Sequence, residues 1–232
     1  MTKLSVIIPV YNEEKTIKII IEKVKKVKLK GISKEIIIVD NFSEDGTRSI
    51  LKNLNDDSLK IFYHGENMGK GTSIKTGLKN STGRIILIQD ADLEYDPEDY
   101  GKLLKPIMEN KVKVVYGSRI STTKNNPKSM HKFYYIGNLF LTSMTNLLYG
   151  AKITDMATGY KVFKKEVVED IKLRASGFEF DTEITAKILK KGYKIHEVPI
   201  HFVGRSFREG KKITWIDGIK SAYYLLKYRF TD

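Results

Sequence analysis

Not one cysteine occurs in the 232 residues. Disulfides are excluded, and with them thiolate-held metal centres, so a metal here would have only oxygen or imidazole ligands. No stretch approaches the roughly 18 consecutive apolar residues that a membrane-crossing helix needs. The first apolar run, LSVIIPV at 4–10, is too short for the hydrophobic region of a signal peptide and gives way at once to polar YNEEK. These absences place the chain in the cytoplasm or against a membrane surface. No Pro/Gly/Ser-rich linker interrupts it either, and its apolar content of 41% is that of an ordinary soluble protein. A single domain over 1–232 is expected, made of a first half (1–120) and a second half (121–232).

Acidic residues are the scarcer charge. Against 41 Lys+Arg stand 28 Asp+Glu, a formal net charge of +13. An anionic partner is implied: nucleic acid, a phosphate-bearing substrate or an anionic bilayer. A nucleic-acid-binding module is a rival class of function, but basic residues do not interleave with aromatics along any one element, and no nucleic-acid partner is expected.

Apolar runs of strand type occupy Leu4–Val10, Glu35–Asp40, Leu59–Tyr63, Arg84–Gln89 and Val112–Gly117. Between them lie segments of helical period. Ile17, Ile20, Ile21, Val24 and Val27 form one apolar face, with Asn12 as the expected N-cap and Glu13 and Glu14 in the first turn. Further helices are expected over Asp45–Leu54, Gly71–Asn80 and Pro97–Asn110. The alternation argues for an α/β fold with a mostly parallel sheet flanked by helices, in which ligands bind at the carboxyl ends of the strands. Four polar clusters fall on that edge: Pro9–Glu13, Asp40–Gly46, Asp90–Asp96 and Gly117–Arg119. The second half is less regular, with helices expected at Phe133–Tyr149, Phe180–Lys191 and Trp215–Phe230 and a strand at Lys194–Phe202.

The acids that do occur are concentrated. Asp90, Asp92, Glu94 and Asp96 stand within seven positions at the end of a hydrophobic strand, in a strongly basic protein. Such crowding is costly unless something positive sits among them. Alternation along a strand places Asp90 and Asp92 on the same side. An all-oxygen set with room for water and phosphates suits Mg²⁺ or Mn²⁺. Asp96, followed by Pro97, reads instead as the cap that starts a helix.

Taken in order, P-V-Y-N-E (9–13), V-D-N-F-S-E-D-G-T (39–47), N-M-G-K-G (67–71), Q-D-A-D-L-E (89–94) and G-S-R (117–119) resemble the family 2 inverting glycosyltransferases of the GT-A (Rossmann-like) fold. T-D-M-A-T-G-Y-K-V-F (154–163), G-F-E-F-D-T-E (177–183), E-V-P-I-H-F (197–202) and R-S-F-R-E-G-K-K (205–212) narrow the resemblance to the dolichyl-phosphate mannosyltransferase and polyprenyl-phosphate glycosyltransferase branch. The resemblance implies sugar transfer from a nucleotide diphosphate sugar to a polyprenyl or dolichyl phosphate. A glycosyltransferase with a soluble glycan or protein acceptor is the alternative. A sugar-1-phosphate nucleotidyltransferase shares the sheet pattern but requires a glycine-rich first loop, which Val10 does not precede.

Residue roles follow from the same resemblance. Pro9, Tyr11 and Glu13 match the segment under the nucleotide base and ribose; Val39 and Asp40 match the next nucleotide contact. Asn41 stands where relatives usually carry a second, base-reading acid. An amide can both accept and donate, which leans towards a uridine donor and away from GDP-mannose. Asp92 matches the principal metal ligand, with Asp90 beside it facing donor sugar or metal, Ala91 between them, and Glu94 placed to complete the coordination. Arg119 would meet the donor diphosphate or the acceptor phosphate. Arg205 and Lys211 match a pair on a late loop over the phosphates, whereas Arg208 and Lys212 read as a solvated face. A second arginine of many relatives is Ile136 here, leaving His131 and Lys132, with Arg119 and Arg205, as the acceptor-phosphate candidates. The sequence offers no general base beyond the metal-site acids. A phosphate monoester acceptor needs none, its second pKa being about 6. Phe133–Tyr149 and Trp215–Phe230 are amphipathic enough to lie in a membrane interface, which implies peripheral attachment at the cytoplasmic face of a membrane.

Overall fold

A computed structural model describes residues 1–120, 130, 132–205, 212 and 214–231. In chain order the elements are β1 (Thr2–Val10), α1 (Ile17–Lys26), β2 (Ile32–Asp40), α2 (Thr47–Lys52), β3 (Leu59–Tyr63), α3 (Lys70–Asn80), β4 (Ile85–Ile88), α4 (Tyr100–Met108), β5 (Val114–Ser118), α5 (Lys132–Tyr149), β6 (Lys161–Lys164), α6 (Glu166–Glu169), α7 (Phe180–Lys190), β7 (Ile195–Pro199) and α8 (Trp215–Phe230). The strands form one seven-stranded sheet in the order β3-β2-β1-β4-β6-β5-β7. All neighbouring pairs are parallel except those of β6, which runs antiparallel to both β4 and β5.

The alternation of side chains divides the core in two. Val6, Ile8, Ile36, Ile38 and Leu87 face α1 and α4, meeting Ile17, Ile20, Val24, Leu103 and Ile107. Ile7, Ile86, Ile88 and Val114 face the other way, onto Ile74 of α3 and Phe180, Ile184 and Ile188 of α7. Helices on both faces leave strands that are apolar on both sides, as parallel sheets require. A small satellite core of Leu141, Ile153, Met156 and Leu225 ties α5 to α8.

Several elements differ from the sequence expectation. Asn12 is not a helix cap. It takes a left-handed backbone (φ 50°), a conformation asparagine tolerates, and its Oδ1 accepts from Glu44 N at 2.8 Å. Helix α1 starts only at Ile17, and the first loop is laced to the loop after β2 through Asn12 N to Ser43 Oγ (3.0 Å) and Glu13 N to Thr47 Oγ1 (2.8 Å). Asp96 does cap a turn, its side chain accepting from Glu98 N, but Pro97–Asp99 is a single 3₁₀ turn ahead of α4. Strand β7 ends at Pro199, with Phe202 making only an isolated bridge to Tyr95. Strand β6 was not expected at all: its four residues, KVFK, begin with a lysine, and that lysine is fully buried.

At the opposite end of the sheet, Glu35 is 6% exposed and collects donors from Ser5 Oγ, Thr82 N (2.6 Å), Thr82 Oγ1 (2.8 Å), Gly83 N (3.1 Å), Lys60 (2.9 Å) and Lys3 (3.0 Å). Burial alone would raise this carboxyl, but the hydrogen bonds outweigh it and hold it far below the ordinary 4.5. A group depressed in the folded state contributes stability that is complete above its unfolded value and is lost as pH falls. Glu35→Gln is expected to reduce the unfolding free energy by about 2 kcal/mol at neutral pH, the value of hydrogen bonds to a charged group. It should also flatten the decline in stability below about pH 4.5, both read by urea titration across pH.

Candidate active site

Because β1, β2, β4 and β5 run the same way, the loops after them meet at one edge. There they enclose a cavity of about 730 Å³. Its lining includes Pro9, Tyr11, Glu13 and Asn41 from the loops after β1 and β2, the polar group Asp90, Asp92, Glu94, Arg119 and Arg205 with Ala91, and the apolar Phe133, Phe140, Leu141 and Ile219 of α5 and α8. Two lysines and an arginine answer the crowding of acids. Lys70, at the start of α3, lies 2.8 Å from Asp90 and 4.0 Å from Asp181 of α7. The buried Lys161 of β6 donates to the other oxygen of Asp181 at 2.7 Å. Arg205 reaches Asp92 at 3.3 Å.

The balance is uneven along the cluster. Burial would lower the Lys70 ammonium, but Asp90 and Asp181 outweigh it and hold it above the usual range. Burial would raise Asp181, but Lys161 and Lys70 keep it below the carboxylate norm. Asp92 goes the other way: burial, then the charges of Asp90 and Glu94, push its carboxyl up to about 7. It is therefore the undercompensated acid of the set. Among the described residues no three acidic or imidazole side chains converge as a closed metal cage. Asp92 with Glu94 or Asp90 offers the one or two carboxylates by which Mg²⁺ or Mn²⁺ is ordinarily held, water and substrate phosphates completing the shell. Close packing supports the cluster from behind. A Cβ on Gly159, in the loop before β6, would collide with Asp90 Oδ2 and crowd the Tyr95 ring, so only glycine fits there.

Arg205 joins three of the sequence candidates. Its guanidinium meets Glu13 through two contacts of 3.0 Å and Asp92 at 3.3 Å, while its backbone N–H donates to Glu94 Oε1 at 2.7 Å. Its Nε is buried with no partner among the described residues. Lys212, expected on a solvated face, instead donates to Glu13 (2.8 Å) and to the Tyr11 carbonyl, and sits 5.5 Å from the Tyr11 ring centroid. Burial would raise Glu13, but Arg205 and Lys212 hold it low. Two cations suited to a diphosphate thus stand over the acids that flank the cavity.

Arg119 is oriented rather than loose. Its Nε and Nη2 fork onto Asp155 (2.8 and 2.7 Å), which also accepts from Arg119 N (2.8 Å) and from Asn138 of α5 (2.9 Å). Glu197 of β7 in turn accepts from the backbone N–H groups of Thr154 and Asp155. The loop of the T-D-M motif is thereby pinned between β5, β7 and α5.

Three sequence candidates are placed elsewhere. Val39 is fully buried in the sheet, and Asp40, also fully buried, turns its carboxylate onto Arg48 (2.7 Å) and Ser43 N (3.3 Å) rather than into the cavity. Lys132 is exposed at the start of α5 and does not line the cavity. His131 and Lys211 lie outside the described residues, as does Arg208. Conversely, Lys70, Asp181 and Lys212 line the cavity without having been singled out as site residues. Lys70 and Asp181 sit inside quoted motifs, N-M-G-K-G and G-F-E-F-D-T-E, and that was the available signal.

A family model described as Glycosyl transferase family 2 matches residues 5–172. The chain is 32% identical over 239 residues to the UDP-N-acetylglucosamine–dolichyl-phosphate N-acetylglucosaminyltransferase of Methanococcus voltae, covering 95% of this chain and 93% of that protein. It is 29% identical over 240 residues to the dolichol-phosphate mannosyltransferase of Pyrococcus furiosus, spanning 97% of this chain and 64% of the longer relative. Among solved structures, glucosyl-3-phosphoglycerate synthase of Mycobacterium tuberculosis, in complex with Mn²⁺, UDP and phosphoglyceric acid, matches with a TM-score of 0.75. That match covers 100% of this chain and 80% of the other at 15% identity, a likeness of fold.

Proposed function

Since the chain belongs to glycosyl transferase family 2, we propose that it moves a sugar from a uridine diphosphate sugar onto the phosphate of a polyprenyl or dolichyl lipid, with inversion. The observation that carries this reading is the lining of the cavity: one space takes in both the Asp90–Asp92–Arg205 cluster and the apolar side chains of α5 and α8. A charged headgroup suits the first set of side chains and a hydrocarbon chain the second. The relatives from Methanococcus voltae and Pyrococcus furiosus, whose names specify dolichyl phosphate and dolichol phosphate, support the lipid acceptor.

In this reading an oxygen of the lipid phosphate attacks the anomeric carbon, and the bond from that carbon to the nucleoside diphosphate breaks. Asp92, with Glu94 and Asp90 beside it, would hold Mg²⁺ or Mn²⁺, which when bound offsets the charge of the departing diphosphate. Arg205 and Lys212 bind the diphosphate, and their departure from Glu13 frees that carboxylate for ribose hydroxyls. Arg119, held by Asp155, presents a fixed cation to phosphate. The acceptor is already an oxyanion at neutral pH, so no base is required. Asp181 supports this: with Lys161 and Lys70 on it, its carboxylate is held below the usual range and is a weak proton acceptor.

Access to the lipid is explained by the same two helices. Phe133, Ile136, Phe140 and Leu147 of α5 and Trp215, Ile219, Tyr223 and Phe230 of α8 are all more than half exposed. No helix among the described residues is long and apolar enough to cross a membrane. The exposed apolar faces support peripheral binding, with Lys220, Lys227 and Arg229 adding about 1 kcal/mol each on anionic lipid. Replacing Phe140 and Ile219 together with Asp is expected to cut transfer to vesicle-embedded polyprenyl phosphate by roughly tenfold or more, leaving nucleotide affinity unchanged in solution. The proposal itself is tested by radiolabelled UDP-sugar. Label that enters the organic phase only with polyprenyl phosphate supports it, and label that moves only to water-soluble acceptors overturns it.

A further inference from the structure

In the cavity lining, the side-chain amide of Asn41 is 3% exposed and its orientation is fixed by a backbone group. Met68 N–H donates to Asn41 Oδ1 at 2.9 Å, which identifies that atom as the oxygen. The nitrogen Nδ2 donates to Asn67 Oδ1 at 2.6 Å, and Asn67 is fixed in the same way, by Gly69 N–H at 3.1 Å. His64 Nδ1 lies 3.0 Å from the same Asn41 oxygen and must therefore carry its proton there. Its Nε2 is then the acceptor for Thr76 Oγ1 at 3.0 Å. Burial lowers the His64 pKa, in keeping with this neutral tautomer.

A carbonyl oxygen has two lone pairs, and here Met68 and His64 occupy both. The amide could in principle accept or donate. As folded, it has only its second Nδ2 hydrogen left for a ligand. Asn41 lines the cavity with Pro9 and Tyr11, and that hydrogen is what its amide has left to offer a base there.

We propose that His64 is a positioning residue for donor selection: by taking the lone pair of Asn41 Oδ1 that Met68 N–H leaves, it restricts residue 41 to donating a hydrogen bond, which reads a carbonyl oxygen, O4 of uracil, on the nucleotide base. This rests on the uridine-sugar reading above and supplies its selecting device. Cytosine carries an amino group at that place, and its N–H would face the Asn41 N–H with no acceptor between them. Discrimination by an unpaired polar group in a closed site is large compared with that by shape alone.

The test is calorimetric titration of the whole protein with UDP and CDP in the presence of Mn²⁺. Wild type is expected to bind UDP at least about tenfold more tightly than CDP. His64→Ala returns a lone pair to Asn41 Oδ1 while Met68 N–H and Asn67 still hold the amide, so residue 41 can accept as well as donate and the UDP/CDP ratio should fall several-fold towards unity. His64→Gln keeps an N–H donor for that oxygen and should restore most of the ratio. Equal affinities in wild type would overturn the proposal. So would His64→Ala weakening both nucleotides by the same factor, which is the mark of a merely structural histidine. If the folded wild type binds neither nucleotide, the uridine-sugar reading fails, and this inference fails with it.

Discussion

Asp92→Asn is expected to lower the rate of sugar transfer by about 1,000-fold or more while leaving the protein folded. The argument is electrostatic. Asp92 is partly buried beside Asp90 and Glu94, and that burial and those two charges push its carboxyl up to about 7 despite Arg205 at 3.3 Å. A divalent cation supplied with the nucleotide is the compensation this arrangement lacks. Asparagine retains the shape and the oxygen that accepts from Glu94 N, now at 3.1 Å, but not the charge that draws the ion. Removing a charge from a crowded acidic cluster relieves repulsion, so thermal unfolding should be unchanged or slightly raised. Initial rates at saturating Mn²⁺, together with a melting curve, separate lost chemistry from lost fold. A variant within tenfold of wild type would remove Asp92 from the metal site.

The second large effect is expected at Arg205. Its guanidinium links Glu13 to Asp92, and its buried Nε lacks a partner among the described residues. Both features suit a group that exchanges carboxylates for a diphosphate when nucleotide enters. Arg205→Ala should reduce kcat/KM by about 100-fold, the usual consequence of losing one preorganised donor to developing negative charge. Arg205→Lys should recover only a part, because an ammonium cannot reproduce the two-pronged contact. Steady-state kinetics with varied donor sugar measure both. A full recovery by lysine would mean that only the charge matters.

What the sequence made readable, and what it hid, divide along physical lines. The strand-end rule pointed to the edge that holds the cavity, because β1, β2, β4 and β5 are apolar runs whose following loops carry the polar residues. The Trp215–Phe230 helix was placed to the residue by its amphipathic period. Strand β6 was hidden because Lys161 and Lys164 make KVFK look exposed, although Lys161 is buried against Asp181. Asp40 was assigned to nucleotide from its motif, but Arg48, eight residues on, claims its carboxylate. That pairing depends on how α2 packs beside β2, which no local pattern states. Lys70 and Asp181 escaped for the same reason: their meeting joins segments 111 residues apart in the chain. Asn41 shows a subtler limit. Its residue type left both hydrogen-bonding roles open, and only the positions of Met68 and His64 choose between them.

The most direct measurement of the central claim is UDP release from a UDP-sugar with Mn²⁺ against three acceptors: a polyprenyl phosphate, the corresponding polyprenol, and a water-soluble alkyl phosphate. Attack by a lipid phosphate oxyanion, without a base, requires fast release with polyprenyl phosphate. It also requires almost none with the alcohol, and weak release with the soluble phosphate, which has the nucleophile but not the hydrocarbon chain proposed for the apolar lining of the cavity. Equal release with polyprenol would mean that a side chain removes the acceptor proton. Equal release with the soluble phosphate would mean that the apolar lining of the cavity plays no part in acceptor choice. Either result would contradict a lipid-phosphate glycosyltransferase built as described.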